Sequence, residues 1–476
     1  MKKIFYISIV FLTFTFVSCE KFLEKAPSGS LPTDSAITSI ADLNNAVNGV
    51  YQELVGQEFS LSGDMFIYGD LKGPDYEFPN NSGWSTPLGV QPVDSKSGHA
   101  DHFYRIVYTA IGKVNYALEA AKNYTPTTDD QAAYDALTAE LHAIRGWMHF
   151  QGATYYCKLP TVAGTNMNDA NSGLPISDKV TMPGDYTAKR ATLNETYNFA
   201  IAELEGSLSK LDISKNGGIS KYGAEALLAR IYLYKGDYSK ALEYAVDIIK
   251  NSGASLYSIA EYSDVWSQTF TSESLLELAV TETGANGGRQ SFGYEASPDG
   301  YAEFGFTKAF YDYLQTLTND VRKNMVSWKV KTGSTAINKG YYTNKYPGQT
   351  GSTQLLYINN PKIVRLSEIY LIAAEAKLKG GNATDAQSAE YYINQLRANR
   401  ITGYTNVTSV TIDDIIAEYR LELQAEGHYF FTLVRNNKTF ESIYRGTITP
   451  DHYSNICAIP DRELFICPDM KQNPGY

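Results

Sequence analysis

The sequence predicts a mainly α-helical fold, in which stacked helical pairs carry an irregular, loop-rich face with a few short strands. Three observations predict it. Residues 221–250 read as a helical hairpin: Ala224, Leu227, Leu228, Ile231 and Tyr234 recur at helical spacing and make one apolar stripe. Gly236 can end that helix in the left-handed conformation, and Asp237 can cap a second one burying Tyr238, Ala241, Leu242, Ala245 and Ile249. The same wording returns where Gly380-Gly381-Asn382 and Ala386 echo Gly236-Asp237 and Ala241. Between the two, residues 253–361 lose the helical rhythm and turn rich in Gly and aromatics. A lone hairpin cannot bury its own face, so these pairs must stack on neighbours.

The elements follow in order. Lys2 and Lys3 precede an apolar run, Ile4 to Val17, too short to remain across a bilayer. It closes on Val17-Ser18-Cys19, which resembles a bacterial lipobox, so residues 1–18 read as a leader removed before a lipidated Cys19. A multiply acylated Cys is a durable anchor, since each buried methylene adds about 0.8 kcal/mol. A tether at 20–36 leads to a helix with Leu43, Ala46, Val47, Val50, Tyr51 and Leu54 on one face. Residues 60–101 read as a long irregular stretch, too aromatic for a disordered one. Helices follow at 103–122 and 133–157, the second stopped by Lys158-Leu159-Pro160. Thr192 and Glu195 form a capping box for a helix over 193–210. Leu275 to Val280 reads as a strand, helices return at 362–379, 386–400 and 412–426, and the tail 457–476 is irregular. The helical scaffold thus spans 37–54, 103–157, 193–250 and 362–437, and the candidate ligand-face loops are 60–101 and 253–361.

Composition narrows the function. The 476 residues carry a net charge of −11 and no basic stripe, which argues against nucleic acid as a partner. The chain holds 37 Tyr, whose flat ring and hydroxyl suit wet, mixed interfaces as well as helix cores. Only Cys157, Cys457 and Cys467 remain beyond Cys19, so at least one thiol is unpaired; Cys457 and Cys467 could close a small loop.

Sugar rings have apolar C–H faces and polar edges, so a receptor for them needs aromatic platforms beside planar donors and acceptors. Burying one such face of about 100 Å² contributes roughly 2.5 kcal/mol, and a few such contacts land near micromolar to millimolar affinity. The loops hold these residue types outside the helical stripes. Trp84 is the leading platform, with Asp75, Asn80 and Asn81 nearby for hydroxyls; Arg289, Tyr294 and Tyr301 form a second group. The competing reading is that these aromatics pin their own loops. Other chemistries are thinly supported. Asp70, Asp75 and Glu77 are hydrolase carboxylates only by type. His99, Asp101 and His102 could meet a metal, and Asp64 with Asp70 a Ca²⁺, but no EF-hand spacing, zinc spacing, phosphate loop or nucleophile elbow is present. Arg145, Glu140, Arg365, Glu368, Glu375, Arg420, Glu422 and Glu426 lie on helices with apolar faces, and read as ion pairs fixing helix registry rather than as an acid–base site. No catalytic residue and no cofactor is predicted.

Several segments together resemble the SusD/RagB family of outer-membrane nutrient-binding lipoproteins. They are Cys19-Glu20-Lys21-Phe22-Leu23, Ala139 to Gly146 with Lys158-Leu159-Pro160, Ser220 to Tyr238, Arg365 to Ala376, Glu418 to Arg435, and the terminus Gln472-Asn473-Pro474-Gly475-Tyr476. Gly146, Lys158 and His428 depart from the family pattern at scaffold positions. The resemblance implies one body over 19–476, tetratricopeptide-like pairs on one side and a ligand face opposite. It also implies a place on the cell surface as a lid on a SusC-type TonB-dependent β-barrel transporter, an oligosaccharide ligand, and no catalysis. The alternative is a peptide- or protein-binding tetratricopeptide scaffold, or a receptor for a non-glycan nutrient.

Overall fold

The computed structural model describes residues 36–79, 83–181, 188–282, 291–330, 339–352 and 355–476. The leader with Cys19, and the candidates Asn80, Asn81 and Arg289, lie outside the described residues.

Fifteen α-helices are present among the described residues. They are α1 (Ile40–Val55), α2 (Asp64–Leu71), α3 (Thr86–Val90), α4 (Gly98–Ala121), α5 (Gln131–Tyr156), α6 (Leu193–Ser207), α7 (Lys221–Lys235) and α8 (Tyr238–Asn251), then α9 (Phe292–Glu295), α10 (Lys308–Thr316), α11 (Leu366–Leu378), α12 (Ala389–Ala398), α13 (Ile412–Glu422), α14 (Tyr429–Arg435) and α15 (Asp461–Ile466). The scaffold is a run of neighbours: α1 packs on α4, α4 on α5, α5 on α6, α6 on α7, α7 on α8, α8 on α11, and α11 on α12 and α13. Local chemistry sets their ends. Gly236 turns left-handed at φ 86°, and its N–H reaches the Leu233 carbonyl at 3.2 Å. Asp237 then accepts the Lys240 N–H at 3.1 Å to start α8. The Thr192–Glu195 capping box opens α6, and Thr411 with Asp414 makes a second one on α13.

Eight short strands complete the fold among the described residues: β1 (Tyr76–Glu77), β2 (Ser274–Glu277), β3 (Gly305–Phe306), β4 (Val326–Val330), β5 (Lys339–Thr343), β6 (Lys362–Arg365), β7 (Phe440–Ser442) and β8 (Gly446–Ile448). One antiparallel sheet runs β1-β3-β5-β4, with Tyr76 opposite Phe306, Phe306 opposite Tyr341, and Trp328 opposite Tyr341.

Three expectations need correction. Residues 60–101 are not irregular throughout, because α2, α3 and the first turn of α4 fall within them. Residues 362–365 extend as β6 against β2 instead of starting a helix, and α11 begins at Leu366. The tail contains α15. Cys457 and Cys467 are both free and buried, as is Cys157, so no small loop is closed.

The charged residues on the helices are paired, as the registry reading requires. Arg365, fully buried, meets Glu273 at 2.7 Å, Glu426 at 2.8 Å and Glu422 at 3.2 Å. Arg400 bridges Glu273 and Glu422, Arg230 holds Glu368, Arg435 holds Glu375, Arg145 holds Glu203, and Lys215 holds Glu140. Surrounding arginines hold the Glu422 carboxyl well below the usual range against the opposing push of burial. Among the described residues no helix is long and apolar enough to cross a membrane.

Candidate functional site

Trp84 stands out from the surface with 61% of its area exposed, an unusual position for so large an apolar ring. Its backbone is nonetheless fixed. The buried Glu303 carboxylate accepts the Ser85 N–H at 2.7 Å and holds the Trp84 N–H as well. Ser85 Oγ donates to Asp64 at 2.7 Å, and His99 Nε2 lies 2.9 Å from the other Asp64 oxygen. Below the indole, Phe59 packs with ring centroids 6.3 Å apart, stacked in turn on His102 at 5.0 Å and edge-on to His99 at 4.9 Å. Phe59 itself is left-handed at φ 60°, a strained conformation for an aromatic residue.

The second candidate group reaches the same place. Phe292 N–H bonds the Ser62 carbonyl at 3.0 Å, which ties the start of α9 to the loop carrying Phe59. Tyr294 and Tyr301 meet edge to face at 4.9 Å, and Tyr357 packs on Tyr294 at 4.8 Å. Both Tyr294 and Tyr301 are half-buried. Glu303, two residues past Tyr301, is the group that holds the Trp84 backbone. The two segments singled out in the sequence are therefore joined at one base, and aromatic rings rise from it.

That base is acidic. Asp64, Glu295 and Glu303 are all buried, and Glu295 lies against both of the other acids. Burial, with Asp64 and Glu303 beside it, pushes the Glu295 carboxyl well above the usual range; burial raises Glu303 too. A carboxyl held neutral in this way lets three acids share one dry site.

Other candidates are engaged elsewhere. Asp75 is buried, and its carboxylate takes two hydrogen bonds from Arg420, one at 2.7 Å. Arg420 in turn lies over Phe310 at 4.9 Å, Tyr313 at 5.1 Å and Tyr429 at 5.5 Å. Asp75 is thus a structural anchor between α13 and the turn before β1, with both carboxylate oxygens engaged by Arg420. Asp70 accepts the Gly427 N–H at 2.6 Å in a fully buried site that raises its carboxyl to about 8. Neither Asp70 nor Asp75 can face a partner carboxylate across an open cleft, as glycoside hydrolysis demands. His99 is committed to Asp64, and among the described residues no group of three or more His, Cys, Asp or Glu is placed to hold a metal ion. A small pocket lined by Met65, Tyr155, Arg230 and His428 has room for a few waters rather than a sugar.

Sequence reasoning missed Phe59, Tyr357 and Glu303. Phe59 carried one signal, a large ring directly ahead of Ser60-Leu61-Ser62-Gly63. Glu303 carried none, because its role depends on a backbone 218 residues away.

Comparison with known proteins bears on this arrangement. A profile described as the SusD family matches residues 188–476. A second, described as starch-binding associating with outer membrane, matches residues 21–233. A SusD-like protein P2 of Formosa agariphila is 24% identical over all of both chains. The crystal structure of a SusD superfamily protein from Bacteroides thetaiotaomicron superposes with a TM-score of 0.82 at 27% identity, covering 92% of this chain and 100% of that one. A laminarin-binding SusD-like protein superposes with a TM-score of 0.74 at 20% identity, over 92% and 100% of the two chains, which is a likeness of fold.

Proposed function

Because the chain belongs to the SusD family, we propose that it is a surface glycan receptor: an outer-membrane lipoprotein that captures an oligosaccharide and hands it to a SusC-type TonB-dependent transporter. SusD-like proteins are carbohydrate-binding proteins rather than enzymes. The outer-membrane description of the profile over 21–233 supports the location, and the lipobox-like Val17-Ser18-Cys19 supports an anchor at Cys19. The observation that carries the reading is Trp84, exposed yet fixed by the Glu303 carboxylate, on the base that also bears Tyr294 and Tyr301. A preset ring loses little entropy when a sugar stacks on it. Polar partners for hydroxyls would come from Asn80, Asn81 and Arg289, which flank those rings in sequence; Asp75 is not among them.

The test is a glycan array on the soluble body from residue 20 onward, repeated with Trp84→Ala, with a peptide library alongside. Sugar binding that the variant loses is the expected result. Peptide capture with no glycan binding would replace this reading with the scaffold one. The anchor is tested separately: Cys19→Ser should move the protein from the membrane fraction to the soluble one, and a variant still retained by detergent-extractable membrane would refute lipidation at that residue.

A further inference from the structure

The two ring-bearing segments meet along a seam of acids. Trp84 precedes Ser85, whose hydroxyl donates to Asp64 at 2.7 Å and whose N–H donates to the Glu303 carboxylate at 2.7 Å. Tyr294 precedes Glu295, and the Glu303 N–H donates to the Glu295 carbonyl at 2.9 Å. Gly83 lets the backbone come this close, since a Cβ on it would fall 3.0 Å from Glu303 Oε2. Three carboxyls therefore lie between the Trp84 side and the Tyr294 side: Asp64 from α2, Glu295 from α9, and Glu303 ahead of β3. All three are buried.

Three negative charges in one dry site would be costly. Glu295 avoids the third by keeping its proton, which it donates to the Asp64 carboxylate. Ser85 and His99 already converge on that carboxylate, one on each oxygen. The titratable groups facing Glu295 are Asp64 from α2 and Glu303 ahead of β3, with the Ser85 hydroxyl beside them; His99 from α4 reaches the cluster through Asp64. Burial and the two acids hold the Glu295 carboxyl well above the usual range. Loss of its proton removes a hydrogen bond and adds a charge, and both effects push α9 from α2.

Ser85 carries this change to the indole. Its bonds to Asp64 and Glu303 fix the backbone directly behind Trp84. Acids that repel one another pull those two bonds apart. A ring that is no longer preset loses more entropy when a sugar stacks on it, so affinity falls. The same push moves Tyr294, the residue before Glu295, away from the Trp84 side.

We infer that the Asp64–Glu295–Glu303 cluster is a proton-held latch between the Trp84 and Tyr294–Tyr301 groups, closed while Glu295 is neutral and opened, with loss of sugar affinity, once it ionises. The inference rests on the glycan reading of this site. Linkage gives the sign: the closed, sugar-binding form is the protonated one, so affinity is full at acid pH and falls as pH rises through the Glu295 value. The loss is about tenfold for each pH unit by which that value is higher in the sugar-bound protein than in the free one.

The experiment titrates hexasaccharides from laminarin, starch and xylan into the soluble body by calorimetry, from about pH 5 to about pH 10. Wild-type affinity should fall about tenfold across that range, and Glu295→Gln, whose amide stays neutral, should show no such fall. In two buffers of different ionisation enthalpy, wild type should take up protons as sugar binds on the falling limb, a reading that needs no variant. Without sugar, the anisotropy decay of Trp84, taken as the difference from Trp84→Phe, should show the indole loosening over the same range, and Glu295→Gln should abolish that change. Circular dichroism confirms that each protein stays folded throughout. Affinity independent of pH, binding without proton uptake, or an equal fall in Glu295→Gln overturns the latch while the Trp84 site stands. So does a fall that calcium chloride prevents and EDTA restores, which would make the acids a cation site. Wild type that binds no probe removes the glycan reading; the anisotropy then decides the latch alone, kept by a transition that Glu295→Gln lacks and overturned by its absence.

Discussion

At the residue scale the site turns on an exposed ring and a buried acid. Trp84 contributes little to packing, so Trp84→Ala should leave the melting temperature within about a degree while weakening glycan binding by about 2 kcal/mol, some thirtyfold, by calorimetry. A large drop in stability instead would assign the indole to the fold. Glu295 behaves oppositely. Its carboxyl is raised in the folded state, so the protein takes up a proton there that the unfolded chain does not hold. The stability this provides is full below the unfolded value near 4.5 and is lost as pH rises toward the folded value. Glu295→Gln, neutral and of the same shape, should therefore raise the melting temperature above neutral pH and flatten its decline with pH. An unchanged pH profile would show that the acid is not strained. Trp84 was legible in the sequence because it breaks no helical period and sits among Gly and Pro. Asp75 was misread because its partner, Arg420, lies 345 residues away, and nothing near a carboxylate in sequence tells whether it is already satisfied.

At the element scale, close approach and buried charge set the geometry. Residue α2 Gly69 lies against the turn before α14: a Cβ on it would fall 2.0 Å from the Gly427 carbonyl oxygen, and a Cβ on Gly427 would fall 2.0 Å from that of Phe66. Gly427 is also left-handed at φ 82°. Gly69→Ala should push α2 from this turn, break the Asp70–Gly427 hydrogen bond and cost about 2–3 kcal/mol in denaturant unfolding. A loss under half of that would mean the turn yields easily. The Arg365 network predicts a larger effect. Arg365→Met leaves Glu273, Glu422 and Glu426 short of a counter-charge and should cost about 3–5 kcal/mol, with no rescue by salt because the site is dry. The capping residues of α6 and α8 were readable because each bond spans three residues. β6 was not, since Ile363 and Val364 continue an apolar helix pattern and extend only because β2 waits nearly ninety residues earlier.

At the scale of the whole molecule, one hydrophobic cluster runs from Ile37 to Met470, and it swallows every cysteine among the described residues. Burial pushes the Cys157 and Cys457 thiols up to about 11. The soluble body from residue 20 should therefore show no reaction with a thiol reagent at neutral pH until unfolded, and then three thiols; a Cys457–Cys467 bridge in its peptide map would contradict this packing. The sequence by itself determined the helical pairs, their caps, and the two stretches where aromatic residues escape the helical stripes. All of these are written in contacts that span a few residues, where spacing alone decides the outcome. Only the tertiary structure decided which of the polar and aromatic residues in those stretches remain available: it sank Asp75 under Arg420 and lifted Trp84 on Glu303. Availability to a ligand depends on burial and on partners hundreds of residues distant, and such pairings leave no local period in the chain.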